Sequence, residues 1–300
     1  MLHLSAFIVA LILSLPLAST PSQAQTHLGF EDIPLSLKAK GDFYLSQGKY
    51  KESLDIYKKI LHDGVDSNSI FRNMVRAWNA MKALDEAEKY LTAYRWAHEK
   101  SSAVNYALGY LYYLKNEDIK AEKQFNSAIE LDSKNSWAWN NWAALLAKGK
   151  HFQQAVEKVK IAIRTNPEKM MFFLNLKKIY AQMGEVQRFE EEYHQALKEG
   201  QKDMSWGYGK TLARSMRQKS FLAYSKNDIA GAIAGFEKIL GIYQNIGDTK
   251  GQVPALFSLG LLFEENGDAH KGQEFYRQVL AINPEHIQAK EKVKPLKEKE

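Results

Sequence analysis

The sequence has no cysteine. Disulfides, thiolate metal sites, cysteine nucleophiles and a lipid-modified cysteine behind a leader are excluded together. Proline (7) and glycine (18) are scarce among 300 residues, which excludes a low-complexity linker of any length. Charge is close to balanced: 41 Lys and Arg against 35 Asp and Glu leave +6. That suits a partner with some negative character and does not call for nucleic acid. The histidines are scattered, no two within five residues of each other, so no helical metal pair exists. There is no Gly-x-Ser-x-Gly and no dinucleotide fingerprint. Acidic runs such as Glu190-Glu191-Glu192 read as solvated helix faces. Nothing asks for a metal, a cofactor or a catalytic group, and the expectation is a protein that is not an enzyme.

Long apolar runs are missing as well, apart from one at the start. Phe7 to Leu17 is apolar over the length of a signal-peptide core and is short for a membrane span. Ser22-Gln23-Ala24 places small residues where signal peptidase cuts. The expectation is a leader over 1–24, a mature N-terminus at Gln25, a short linker over 25–33 and a periplasmic or secreted product without stable membrane insertion. The n-region carries no Lys or Arg, which leaves an uncleaved anchor or a buried first helix as alternatives.

What the chain has in abundance is repetition. Ser53, Ala87, Ala121, Ala155 and Phe189 are spaced by 34 residues; so are Tyr57, Leu91, Phe125, Val159 and Tyr193, and so are Tyr44, Trp78, Tyr112, Leu146 and Tyr180. Three columns in one register over five periods mark a solenoid. Each unit reads as two helices. "AVNYALGYLYYLK" has apolar residues at helical spacing, "NED" breaks it, and "IKAEKQFNSAIEL" resumes with Ala121, Phe125 and Ala128 on one side. Gly48, Asn116, Gly184, Asn227 and Gly267 fall at the turn between the two helices, where a left-handed residue is needed. Asn166-Pro167 and Asn283-Pro284 end second helices.

Leu108-Gly109, Tyr112, Ala121, Phe125 and Ala128 in one unit, with Trp139, Ala155, Ala162 and Pro167 in the next and Leu259-Gly260, Phe263, Gly267, Tyr276 and Pro284 near the end, resemble the tetratricopeptide repeat. The resemblance covers nearly all of the mature chain. It implies an all-α solenoid, a right-handed superhelix of about seven repeats. Five regular units occupy 34–67, 68–101, 102–135, 136–169 and 170–203, a longer one 213–252, and a last one 253–286. A capping helix and charged tail follow over 287–300. Lys177 and Phe189 depart from the small residues of the pattern in the fifth unit, and Ser220 and Ala223 weaken the sixth.

Between the fifth and sixth units lies "MSWGYGKT", Met204 to Thr211. Its Gly-Lys-Thr resembles the end of a phosphate loop. Such a loop needs a glycine five residues before the Gly-Lys pair, where Met204 stands, and a preceding strand, where a helical pattern stands. The expectation is instead an inter-repeat joint over 204–212 that lets the second stack tilt, with Trp206 and Tyr208 filling the gap.

By resemblance, positions 2, 5, 6, 9, 12 and 13 of each unit line a concave groove. These include Arg72, Asn73, Arg76, Asn79, Tyr106, Tyr110, Tyr113, Trp137, Asn140, Asn141, Asn175, Lys178, Arg214, Arg217, Phe221 and Tyr224. Over units two to six the groove positions carry six basic residues and no acidic one. Asn73, Asn141 and Asn175 share one position, resembling the asparagine ladder by which some family members hold a peptide backbone, with Ala107 interrupting it. Tyr106, Tyr110, Tyr113 and Trp137 offer flat surface expected to face the groove, while Tyr112 and Phe125 are expected to pack between repeats. The arginines suit carboxylates. The family's carboxylate clamp is only partly matched, because Asp42 stands where its first unit wants an asparagine. The expected function is an exported scaffold holding an extended, acidic or C-terminal segment of a partner protein in an envelope complex. The alternatives are polysaccharide binding along the aromatic stripe and self-assembly, one molecule's end in another's groove.

Overall fold

The computed structural model describes residues 36–293. The expected leader, the linker and most of the charged tail lie outside the described residues. Within them the chain is an all-helical array of consecutive antiparallel pairs. In order these are α1 (Leu37–Ser46), α2 (Tyr50–His62), α3 (Asn68–Ala80), α4 (Leu84–Ala97), α5 (Ser102–Leu114), α6 (Asp118–Leu131), α7 (Ser136–Lys148) and α8 (Phe152–Thr165). Then come α9 (Met170–Met183), α10 (Arg188–Lys198), α11 (Lys202–Ser225), α12 (Ile229–Asn245), α13 (Thr249–Glu265), α14 (Ala269–Ile282) and α15 (Ile287–Lys292). Two compact bodies divide at Phe189/Glu190: the first holds α1–α9, the second α11–α15, and the boundary falls near the start of α10.

The turn chemistry explains the period. The residue at the same point of every pair is left-handed: Gly48, Lys82, Asn116, Lys150, Gly184, Asn227 and Gly267 have φ between 57° and 91°. Glycine and asparagine tolerate this cheaply. Lys82 and Lys150 do not, and no sequence signal marked them. The surrounding backbone imposes the conformation there, through Ala83 N–H to Trp78 O and His151 N–H to Leu146 O, each closing the preceding helix. Helix starts are capped by side chains where one is present: Ser36, Ser101, Asn135, Asp228, Asp248, Asp268 and His286 each accept a backbone N–H.

Within a pair, packing is set by matched sizes at two repeat positions. Gly41 faces Tyr57, Gly109 faces Phe125 and Gly260 faces Tyr276. A Cβ on Gly109 would stand 2.5 Å from the Phe125 ring, and one on Gly41 2.7 Å from Tyr57. Where the first position holds Val75 or Ala143, the second holds Leu91 or Val159, all buried. Tyr57, Phe125 and Tyr276 are fully buried, each worth about 2–3 kcal/mol of apolar burial. Tyr112, expected in the core with Phe125, is only half-buried and donates its hydroxyl to Glu88 Oε1 at 3.0 Å.

The stretch 204–212 is not a gap between helices. It lies wholly inside α11, which runs unbroken for 24 residues. The sixth unit's first helix therefore starts eleven residues before the expected 213. Gly209 serves close approach rather than a turn: a Cβ there would meet Ile246 at 2.9 Å and Tyr193 at 3.1 Å. Tyr208 is buried and Thr211 Oγ1 donates back to Gly207 O at 2.9 Å. Packing against Ile246, Tyr193 and Ile242 outweighs the roughly 1 kcal/mol that a helical glycine costs at 209.

Candidate functional site

In the first body the first helices α3, α5, α7 and α9 pack side by side. They curl: Arg72 of α3 donates from Nη2 to Met171 Sδ of α9 at 3.5 Å, although the two lie three units apart. The face between them is therefore concave, and Arg72 spans it. On the way the Arg72 guanidinium sits 4.8 Å from the centre of the Trp137 ring. Trp137 in turn packs edge-on to Phe172 at 5.4 Å and tilts against Tyr106 at 6.4 Å. Tyr106 and Tyr110 stack nearly parallel, 6.5 Å apart.

The structure thus brings Arg72, Tyr106, Tyr110, Trp137 and Asn141 into one notch. Tyr106, however, is not an open groove surface: it is 0% exposed. Its hydroxyl is buried without a hydrogen-bond partner of acceptable geometry. Burial holds the phenol far above its usual pKa, against the opposing pull of Arg72. The resemblance put Tyr106 in an open groove and could not foresee the depth of the notch.

The amides are also not a free ladder. Asn140 is buried (1% exposed) and is not a groove-lining residue; it accepts from Asn175 Nδ2 at 2.8 Å and donates to Asn141 Oδ1 at 3.0 Å. Asn73 is committed inward: its Nδ2 donates to Asp42 Oδ1 at 2.9 Å, and Tyr57 Oη donates to the same oxygen at 2.6 Å. Arg76 donates to Asn73 Oδ1 at 3.3 Å. Tyr113 lies under Lys148 Nζ, 5.7 Å from the ring centre. Asn79 and Lys178 are exposed. Arg214 and Arg217 belong to the second body, where burial, with the repulsion of Arg214 added, pushes the Arg217 guanidinium below its usual value. Met171, which carries the contact across the face, and Asn135, which holds the starts of α3, α5 and α7 together, were not singled out from sequence.

Asp42 gives this region a pH signature. Burial would raise its pKa, but hydrogen bonds from Lys38, Tyr57 and Asn73 outweigh that and hold it below the usual carboxylate value. A depressed carboxylate stabilises the fold above its unfolded pKa, about 3.9, and the contribution is lost as pH falls through the folded value. Denaturant titrations should show a constant gap between the native chain and Asp42→Asn from pH 5 to 8. That gap should close below about pH 4. A gap unchanged at pH 3 would mean that the charge on Asp42 contributes nothing.

Comparison with known proteins follows the same lines. A tetratricopeptide repeat family profile matches residues 102–135 and 253–286, the boundaries expected for the third and last units. Those two units are tetratricopeptide repeats. A curated relative, the Photosystem I assembly protein Ycf3 of Acaryochloris marina, is 29% identical over 85 residues, 27% of this chain and 51% of that protein. The chain thus spans about half the length of that relative. Among solved structures, the C-terminal part of a tetratricopeptide repeat protein from Cytophaga hutchinsonii is 18% identical, covering 85% of this chain and 99% of that one with a TM-score of 0.39. YrrB, described as a tetratricopeptide repeat protein with an unusual peptide-binding site, is 16% identical, covering 67% and 96% with a TM-score of 0.34. Tetratricopeptide repeats generally serve as scaffolds for protein–protein interaction.

Proposed function

We propose that this protein is an exported scaffold whose first body holds an extended segment of a partner protein on its concave face, within a cell-envelope complex. The carrying observation is that Arg72 and Arg76 stand on that face with no carboxylate partner among the described residues. Two cations left unpaired in a partly enclosed site are a standing attraction for an acidic ligand. The export part of the reading rests on the apolar run Phe7–Leu17 and the small residues before Gln25. Mass measurement of the mature protein, expected to begin at Gln25, tests it.

Peptide is favoured over glycan by the state of the rings. Stacking on sugar needs open aromatic faces, whereas Tyr106 is buried and Trp137 is covered by Arg72. The decisive experiment is affinity capture of envelope proteins by the native chain and by Arg72→Ala, Arg76→Ala and Asn141→Ala combined. The combined variant should lose its partner at least tenfold, since each lost charge-assisted bond is worth about 1.5–3 kcal/mol. Arg214→Ala with Arg217→Ala should leave the first-body ligand in place. Unchanged capture by a folded first-body variant would count against this face.

A further inference from the structure

We propose that the notch formed by Arg72, Tyr106 and Asn141 is a subsite for one carboxylate, and that Arg72 must leave Met171 to close on it. The inference rests on the reading that the first-body face binds a partner segment, and it names the chemical group received there.

An inventory of hydrogen-bonding groups carries it. Tyr106 Oη is the only buried side-chain polar atom without a partner among the described residues of the first body. A buried hydroxyl whose proton has no acceptor is an unmet hydrogen bond that a ligand can satisfy. Asn175 donates to Asn140 and Asn140 donates to Asn141 Oδ1, so this chain of amides ends on Asn141, whose side chain lies beside the Tyr106 hydroxyl and favours its charged form against burial. Arg72 spends one N–H on a thioether sulfur at 3.5 Å and rests on Trp137; sulfur is a weak acceptor. Arg76, one turn further along α3, has only Asn73 Oδ1. Tyr110 lies within the field of both arginines. The notch therefore carries a guanidinium held only by sulfur and a hydroxyl whose proton has no acceptor, and no carboxylate of its own. Its complement is a small acceptor-only group with several lone pairs, and a planar carboxylate matches the guanidinium fork.

Arg72 is the mobile part. Trp137, Asn141 and Tyr106 are held by helix packing, whereas the guanidinium sits on a flexible stem. Its bond to sulfur is weak compared with a charge-assisted bond to oxygen. Exchanging Met171 for a carboxylate would open the span across the face and give the Tyr106 hydroxyl an acceptor. The family's clamp positions take no part, since Asn73 and Asp42 are bound to each other.

Three small probes test this on the full chain: N-acetylglycine for a C-terminal carboxylate, N-acetyl-aspartate methylamide for a side-chain one, and N-acetylglycinamide as the neutral control. The readouts are the NMR signals of Arg72 Nε–H and Trp137 Nε1–H. At least one carboxylate should shift both signals saturably while the neutral probe does not, and the stronger of the two names the source. Tyr106→Phe, which keeps the ring, should weaken the effect about tenfold. Met171→Leu, which removes the sulfur, should strengthen it several-fold. The proposal is overturned if the neutral probe acts equally, if no carboxylate acts up to its solubility, if Tyr106→Phe changes nothing, or if O-phosphoserine amide binds better than either carboxylate. Carboxylates that bind here while partner capture ignores the arginines would sink the scaffold reading alone. Capture that needs the arginines with carboxylates and amides equivalent would sink this subsite alone.

Discussion

Gly109→Val is expected to destabilise the first body by about 1–3 kcal/mol, the usual range for overpacking a filled core, and Phe125→Leu in the same chain is expected to recover most of that loss. The Cβ of any residue at 109 would enter the Phe125 ring. The ring is fully buried and has no open side to move toward. Phe125→Leu alone leaves a void and should itself cost on the order of 1–2 kcal/mol. The double variant reproduces Val75 with Leu91, the pair that the second unit already buries. A coupling energy of about 1–3 kcal/mol in the double-mutant cycle follows from contact between the two sites. Denaturant titration followed by circular dichroism reads it, with the transition of the first body treated separately because repeat arrays unfold in parts. Additive effects would show that the two positions are not matched.

That pairing is also the reason so much of the fold was legible. A repeat confronts the same packing problem every 34 residues, so the small–large match of Gly41 with Tyr57, Gly109 with Phe125 and Gly260 with Tyr276 is written several times in the sequence. The turn residues are written likewise, except at Lys82 and Lys150, where neighbouring backbone bonds impose a conformation that the side chain disfavours. "MSWGYGKT" misled because its glycines resemble a break. The role of Gly209 depends on Tyr193, Ile242 and Ile246, which lie 16 or more residues away along the chain. The site was legible as a face and not as a shape. Which positions point inward came from the resemblance to the repeat family, laid on the 34-residue register. That Met171 reaches Arg72 depends on small rotations summed over three units, and so does the burial of Tyr106 and Asn140. The amide ladder failed for a simpler reason: an amide column does not reveal that Asp42 will take Asn73.

Asn135→Ala is expected to cost about 2–4 kcal/mol, more than any surface change in this chain. Asn135 is 1% exposed and does three things at once. Its Oδ1 accepts from Ala138 N–H at 3.0 Å and caps α7; its Nδ2 donates to Asn68 Oδ1 at 3.0 Å and to Ser102 Oγ at 2.8 Å. It therefore ties the starts of α3, α5 and α7, about one turn before Arg72, Tyr106 and Asn140. Asn135→Ser separates the roles, because serine caps as well as asparagine but is too short to reach Asn68. If the tie matters, Asn135→Ser should remain about 1–2 kcal/mol less stable than the native chain. It should also weaken carboxylate binding in the notch, although residue 135 does not line it, since ligand-binding groups lose affinity when their spacing is no longer held. A folded Asn135→Ser protein with native stability and native affinity would show that α3, α5 and α7 are positioned by apolar packing alone.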